Sequence, residues 1–378
     1  MKKSILLATS AIIASGVVAT SAQAIDVELY GQVNKGVVGA NIDGDAASAD
    51  LNIVDNDISS TRFGLRGNQQ LDNGLTASVL LEGEIEDNAS DDADLIAANG
   101  TPADVGAAGW ETRHARVGLG GQWGALFLGR TSTASDGVAE IDLSAAQDVT
   151  SSAVDRIGGS VEVGPGGETL ADHADNIDGM GYTNGGNDQH STDRRNAVRF
   201  DTPIVQGLQG RIAYAQGGDI DVAALYNNTF AGFEVAGGVS FVEYDRVNQI
   251  ASASGKAQNA FSATASVLHD SGISGTVNYG TRSFSQNGAA DNPESYYVKL
   301  GYQHNNTGFA VDYTRNNDAA MTAAAGASSK LTAVGAYVQQ DLGHGVSASA
   351  FYKQIETSLN NADNEDLDLF GVNMRVKF

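Results

Sequence analysis

The sequence contains no cysteine, which excludes disulfide stapling, zinc–thiolate sites and thiol catalysis. After Ala24 no apolar run approaches the roughly 20 residues that a membrane-crossing helix needs, so helical spans are excluded too. Basic charge is scarce: 22 Lys and Arg face 46 Asp and Glu, a net charge of −24. Nucleic-acid phosphates demand clustered Lys and Arg, so a nucleic-acid partner is excluded. Large apolar side chains are also in short supply, because much of the hydrophobic fraction of 42% is alanine and the chain carries 46 Gly and only 4 Pro. A large conventional core is therefore poorly provided for. The six histidines (His114, His173, His190, His269, His304 and His344) are scattered without ligand spacing, and no metal is assigned to them.

What is present begins with an address. MKKSILLATSAIIASGVVATSAQA places Lys2 and Lys3 before an apolar stretch and ends in an Ala-x-Ala site at Ala22 and Ala24, the pattern of a cleaved secretory signal peptide. The expectation is a leader over 1–24 and a single domain over 25–378.

At the other end, LFGVNMRVKF (369–378) alternates Phe370, Val372, Met374, Val376 and Phe378 with Gly371, Asn373, Arg375 and Lys377. Such period-two patterning predicts a strand with one dry and one polar face. The same pattern recurs near 26–38, 60–71, 75–86, 112–119, 125–131, 194–202, 208–215, 220–228, 233–244, 258–268, 273–283, 295–303, 309–315, 330–340, 346–356 and 367–378, sixteen segments in all. Two of them, 330–340 and 346–356, have alanine on both faces and leave their register open.

Connections between these segments are of two kinds in alternation. One set is long and acidic, including ANIDGDAASADLNIVDNDIS and a very long 132–193; the other is tight, as in DNG, GGQWG, TFAG, HDSG and DLGHG. Only QGGD at 216–219 breaks the rule. An even number of strands with short turns on one edge and long loops on the other matches an all-β, 16-stranded antiparallel transmembrane β-barrel, its short turns periplasmic and its long loops outside. In hydrocarbon every backbone polar group has to be paired, so the last strand must close on the first. Sixteen strands leave a water-filled interior where eight would be filled by side chains.

At these motifs the sequence resembles the general diffusion porins of Gram-negative outer membranes. The resemblance is carried by DVELYGQVNKGV (26–37), STRFGLRGNQQLDNGLTASVLLEGE (60–84), ARVGLGGQWGALFLGR (115–130) and the terminal MRVKF. It implies a homotrimer, a third outer loop folded inward, and assembly through the barrel-assembly machinery, which reads Phe378. It further implies a constriction with basic wall residues Arg62, Arg66, Arg116, Arg195 and Arg199, faced by Asp136, Glu140, Asp142 and Asp148 of the third loop. That loop is longer than the pattern requires, the extra part being VEVGPGGETLADHADNIDGMGYTNGGNDQHST. It folds outside the barrel, against a neighbouring subunit, or into the pore.

The implied function is passive diffusion of small hydrophilic solutes and ions, with the acid excess predicting a preference for cations. No cofactor is expected. The acid runs DNASDDAD, DNIDG and NADNEDLD lack the full spacing of a dedicated calcium loop and are read as solvated loops that hold divalent cations loosely and bridge to lipopolysaccharide. The alternatives are a solute-specific porin with a saturable site, an outer-membrane barrel enzyme, and a secreted adhesin or lectin. The enzyme lacks a convincing Ser–His or paired-carboxylate constellation, since SGISG (271–275) falls in a turn and is followed by Thr276.

Overall fold

A computed structural model describes residues 25–42, 51–93, 95, 109–164, 167–174, 194–244, 257–284, 292–319, 328–360, 362–364 and 366–378. The expected leader 1–24, the acid run at 175–179 and His190 lie outside the described residues. So do parts of the acid runs at 87–94 and 361–368.

The barrel strands are β1 (Asp26–Ile42), β2 (Arg62–Gln70), β3 (Thr76–Glu86), β4 (Gly109–Gly121), β5 (Gly124–Ser132), β6 (Arg194–Asp201), β7 (Leu208–Ala215) and β8 (Ile220–Phe230). They continue as β9 (Phe233–Glu243), β10 (Ala257–His269), β11 (Ile273–Phe284), β12 (Glu294–His304), β13 (Thr307–Asn317), β14 (Ser329–Gly343), β15 (Val346–Leu359) and β16 (Leu367–Lys377). Each is antiparallel to its chain neighbours, and β16 pairs with β1 from Gln32↔Lys377 to Ile42↔Leu367, which closes the cylinder. Two short strands, 52–55 and 362–363, extend the sheet from outer loops onto β1 and β15. Among the described residues no helix is long and apolar enough to cross a membrane.

Period-two side-chain placement produces the outer surface. Val27, Leu29, Phe63, Leu65, Val117, Leu119, Val222, Val298, Leu300, Val311, Val372 and Met374 are all exposed, which in water would be a severe liability and in lipid is the requirement. Tight turns set the short edge. At the β8–β9 turn both Ala231 and Gly232 have positive φ (50° and 83°), the two-residue geometry whose twist matches that of the flanking strands.

The third outer loop, from Thr133 onward, turns into the lumen and is fastened along the inner wall strand by strand. The Ser135 amide donates to Asp221 on β8 (2.7 Å), the Leu143 amide to Ser266 Oγ on β10 (2.8 Å), and Asn278 on β11 donates to the Ala139 carbonyl (3.1 Å). Farther round, the Asp148 amide donates to Gln339 on β14 (3.0 Å). Residues 149–164 and 167–174, which include the described portion of the extra segment, continue from these anchors and pack Val149, Val154, Ile157, Val161, Val163 and Leu170 against the inner wall.

This placement changes one expectation. The inner face is not wet all round: Val38, Ala40, Leu331, Ile355, Leu367 and Leu369 of the wall are buried against Val149, Val154, Ile157, Val161, Val163 and Leu170 of the loop. An apolar core thus lies between the loop and the inner face of β1 and β14–β16. Alanine and apolar residues on both faces of β14 and β15 follow from it, because one face meets lipid and the other meets the loop.

Candidate pore constriction

The loop is fastened to β8–β16, where Lys299 and Arg375 pair with its carboxylates, and a second charged part of the wall lies on β2–β7. Period-two geometry turns Arg62 inward on β2, Glu82 and Glu84 on β3, and Arg116 on β4. A bulge adds to this set. Glu82 pairs with His114 and Gly83 with Thr112, so Arg113 is the extra residue, and a bulge of this kind re-aims a side chain. Arg113 Nε donates to Glu82 (2.7 Å), its Nη1 bonds Glu84, and Nη1 also reaches Ser60 Oγ (3.3 Å). Glu82 accepts a further hydrogen bond from the Tyr30 hydroxyl (2.7 Å) and stands 4.0 Å from Arg62.

Farther along, Arg199 on β6 grips Asp201 through two hydrogen bonds (2.9 and 3.1 Å) and donates to the Ser132 carbonyl (2.8 Å). Arg211 on β7 approaches the same carboxylate at 3.7 Å. Arg116 and Arg199 both lie over the ring of Phe127, at 4.2 and 5.0 Å from its centroid. That contact suits a guanidinium, whose planar cation is weakly hydrated.

The acidic residues divide into anchors and lining. Asp142 accepts from Lys299 Nζ (2.7 Å), Thr276 Oγ1 (2.6 Å) and the Ser144 amide (2.8 Å). Burial pushes the Asp142 carboxyl up, but Lys299 and these hydrogen bonds outweigh it and hold it below the usual carboxylate range. Asp148, buried, pairs with Arg375 and Ser347. Asp136 faces the wall cluster: burial raises its carboxyl, and Arg194, a Ser132 hydrogen bond, His114 and Arg113 together bring it below its ordinary value. Glu140 is exposed and lines a cavity of about 160 Å³ with Asp142, Gln147, Thr150, Ser151 and Thr276.

The structure thus brings Arg62, Arg116 and Arg199 onto one charged wall with Asp136 opposite. Arg66 stands apart, more than half exposed and bidentate with Glu28 (2.9 and 3.0 Å). Arg195 is buried against Asp219. Sequence reading missed Glu82, Glu84, Arg113, Arg194 and Arg211. Glu82 and Glu84 share one strand parity and were open to detection, whereas Arg113 is out of phase with Arg116 and only the bulge turns it inward. Among the described residues no cluster of three or more His, Asp and Glu is arranged to hold a metal.

No curated protein matches the chain in sequence. Solved structures do match in fold. The anion-selective porin from Comamonas acidovorans superposes with a TM-score of 0.59 at 18% identity, covering 94% of this chain and 100% of that one. An outer membrane protein of Vibrio cholerae, the loop L8 deletion mutant of OmpT, gives 0.58 at 15% identity, with 94% and 100% covered. Salmonella typhi OmpF in complex with daunomycin gives 0.55 at 17% identity, with 92% and 97% covered. The family model described as Gram-negative porin matches residues 8–360. A closed barrel with an inward loop, porin-like throughout its length, and a match over most of the sequence lead to one conclusion: the chain belongs to the Gram-negative porin family, non-enzymatic channels of the outer membrane.

Proposed function

We propose that the protein is a trimeric porin, made with a cleaved leader over 1–24, that passes small hydrophilic solutes and ions by passive diffusion. The observation that carries this reading is the third loop fastened across the inside of a closed barrel, with Arg62, Arg113, Glu82 and Glu84 clustered on the β2–β4 part of the wall. Opposed charges across a narrow wet gap favour polar solutes and reject greasy ones without any chemistry. Arg62, Arg116 and Arg199 belong to the basic side of this path and Asp136 and Glu140 to the acidic side; Asp142 and Asp148 act by fixing the loop, and Arg66 and Arg195, paired with Glu28 and Asp219, stand outside the constriction.

The chain's net charge of −24 supports a preference for cations. The arginine-rich wall favours the opposite reading, an anion preference. Reversal potentials of the purified protein in a KCl gradient across planar bilayers decide between them. A solute-specific porin draws support from the cavity beside Glu140; conductance that saturates with one solute at low concentration would establish it. Lipopolysaccharide and the barrel-assembly machinery are the proposed partners, through the outer rim and through Phe378 respectively.

A further inference from the structure

We propose that Glu82 and Glu84 determine the ionic preference of this channel by masking the positive charge of Arg62 and Arg113; the inference rests on the channel reading above. These two carboxylates project from β3 into the densest group of cations on the wall. Glu82 is the hub, accepting hydrogen bonds from Arg113 Nε (2.7 Å) and the Tyr30 hydroxyl (2.7 Å) with Arg62 Nε at 4.0 Å. Glu84 takes the other face of the Arg113 guanidinium. Glu82 and Glu84 have side-chain exposures of 9% and 6%, and Arg113 of 13%, so all three are held in place rather than sampling solvent.

The bulge in β4 makes the carboxylates necessary. A regular strand would turn one basic or polar residue inward at this level; the extra residue turns Arg113 inward as well as His114. Without the glutamates the wall would present Arg62, Arg113, Arg116 and Arg194 to the gap, with Asp136 of the loop as the acid facing them. An ion pair in contact acts on a passing ion as a dipole, and its field fades far faster than that of a lone charge. At physiological salt a charge is felt over about 8 Å. The acidic outer loops therefore act on ions in the vestibule, and the balance among these wall residues acts on ions in the gap. Glu82 and Glu84 keep that balance from favouring anions.

The test is the potassium-to-chloride permeability ratio, read from reversal potentials in a KCl gradient across planar phosphatidylcholine bilayers, for wild type and for Glu82→Gln, Glu84→Gln, Arg62→Gln and Arg113→Gln. Heat-modifiable migration on gels checks that each variant forms a barrel. Glu82→Gln and Glu84→Gln are expected to shift the ratio toward chloride by about twofold to fivefold, the effect of one charge several ångströms away in a wet gap. Arg62→Gln and Arg113→Gln are expected to shift it toward potassium. A merely structural role would move all four variants the same way, or change conductance and leave the ratio alone; either result overturns the proposal. If Glu82→Gln fails to form a barrel, Arg62→Gln carries the test, because its side chain is the most exposed of the four, and an unchanged ratio there overturns the proposal equally. A wild-type protein that forms no channels would defeat the porin reading instead.

Discussion

The ring of Phe378 lies where a side chain on Gly31 would stand: a Cβ placed on Gly31 meets Phe378 Cζ at 2.6 Å and the Arg62 carbonyl oxygen at 2.8 Å. The two backbones exchange hydrogen bonds of 3.0 Å in both directions, Gly31 N–H to Phe378 O and Phe378 N–H to Gly31 O. The last residue of the chain is thus seated on the first strand, and only glycine leaves room for it. Gly31→Ala forces the ring or the β1–β2 pairing to shift, an overpacking penalty of about 1–3 kcal/mol. The expected result is a lower temperature of conversion from the compact to the unfolded gel form, while Phe378→Leu in the Gly31→Ala background, with a slimmer side chain, recovers part of the loss.

Lys299 and Asp142 make a buried ionic attachment of the third loop to the wall. The Lys299 side chain is fully buried and divides its donors between Asp142 (2.7 Å) and Thr150 (2.6 Å). Removing one partner of a buried ion pair leaves the other uncompensated, at a cost of about 3–5 kcal/mol. Asp142→Asn is therefore expected to loosen the loop without opening the barrel. Single-channel recordings should show larger current noise and faster proteolysis should map to residues 133–174; quiet currents and a protected loop would refute the assignment.

Three outer loops meet around Arg156, at a group of buried carboxyls. Arg156 donates to Asp57 (2.7 Å), Ser90 Oγ donates to the Arg156 carbonyl (2.6 Å), and the Ser160 amide donates to the Asp91 carbonyl (2.8 Å). Burial, then the charge of Asp57, pushes the Asp91 carboxyl up to about 7, with Arg156 opposing and Asp155 adding to the rise. Burial also raises Asp57 despite its partner Arg156. A carboxyl raised on folding binds its proton more tightly in the folded state, so the clamp is strongest below the unfolded value near 4 and weakens as pH rises through about 7. Amide exchange over 87–93 and 154–160, corrected for intrinsic rates, is expected to be faster at pH 8 than at pH 5. Asp91→Asn should remove much of that dependence.

How much of this was legible in the sequence depends on which neighbour a strand face meets. Sixteen strands were readable because lipid imposes one rule on every outward face, so Phe370, Val372 and Met374 announce β16 by alternation alone. The inner face obeys no single rule. Ser266, Thr276 and Lys299 meet polar groups of the third loop, the Leu143 amide and the side chains of Asp142 and Thr150, and read as a wet lumen, whereas Leu331, Ile355, Leu367 and Leu369 meet its apolar residues and blur the alternation. The loop's own signal, Val149, Val154, Ile157, Val161 and Val163, is irregularly spaced because it follows a curved wall and not a strand period. In the candidate constriction, Arg62 and Arg116 were legible from parity, but Arg113 was hidden by a bulge that no periodicity reveals.

The apolar cluster between loop and wall yields the last prediction. Leu331 and Leu367 are fully buried on the inner face, packed with Val161, Val163 and Leu170 of the third loop. Leu331→Ala removes buried methyl groups from a packed site, a loss of about 2–5 kcal/mol that grows with the cavity left behind. The ion path proposed above, by contrast, runs past Arg62, Arg113 and Arg116, none of which belongs to this apolar cluster. Leu331→Ala is therefore expected to lower the barrel's resistance to heat and denaturant while leaving single-channel conductance unchanged. Val372→Ala, on the lipid face of β16, serves as the comparison for truncation outside the core. A conductance step that rises with Leu331→Ala would mean that ions pass through the region assigned to the apolar core, and the division of the lumen into a dry half and a charged half would fail with it.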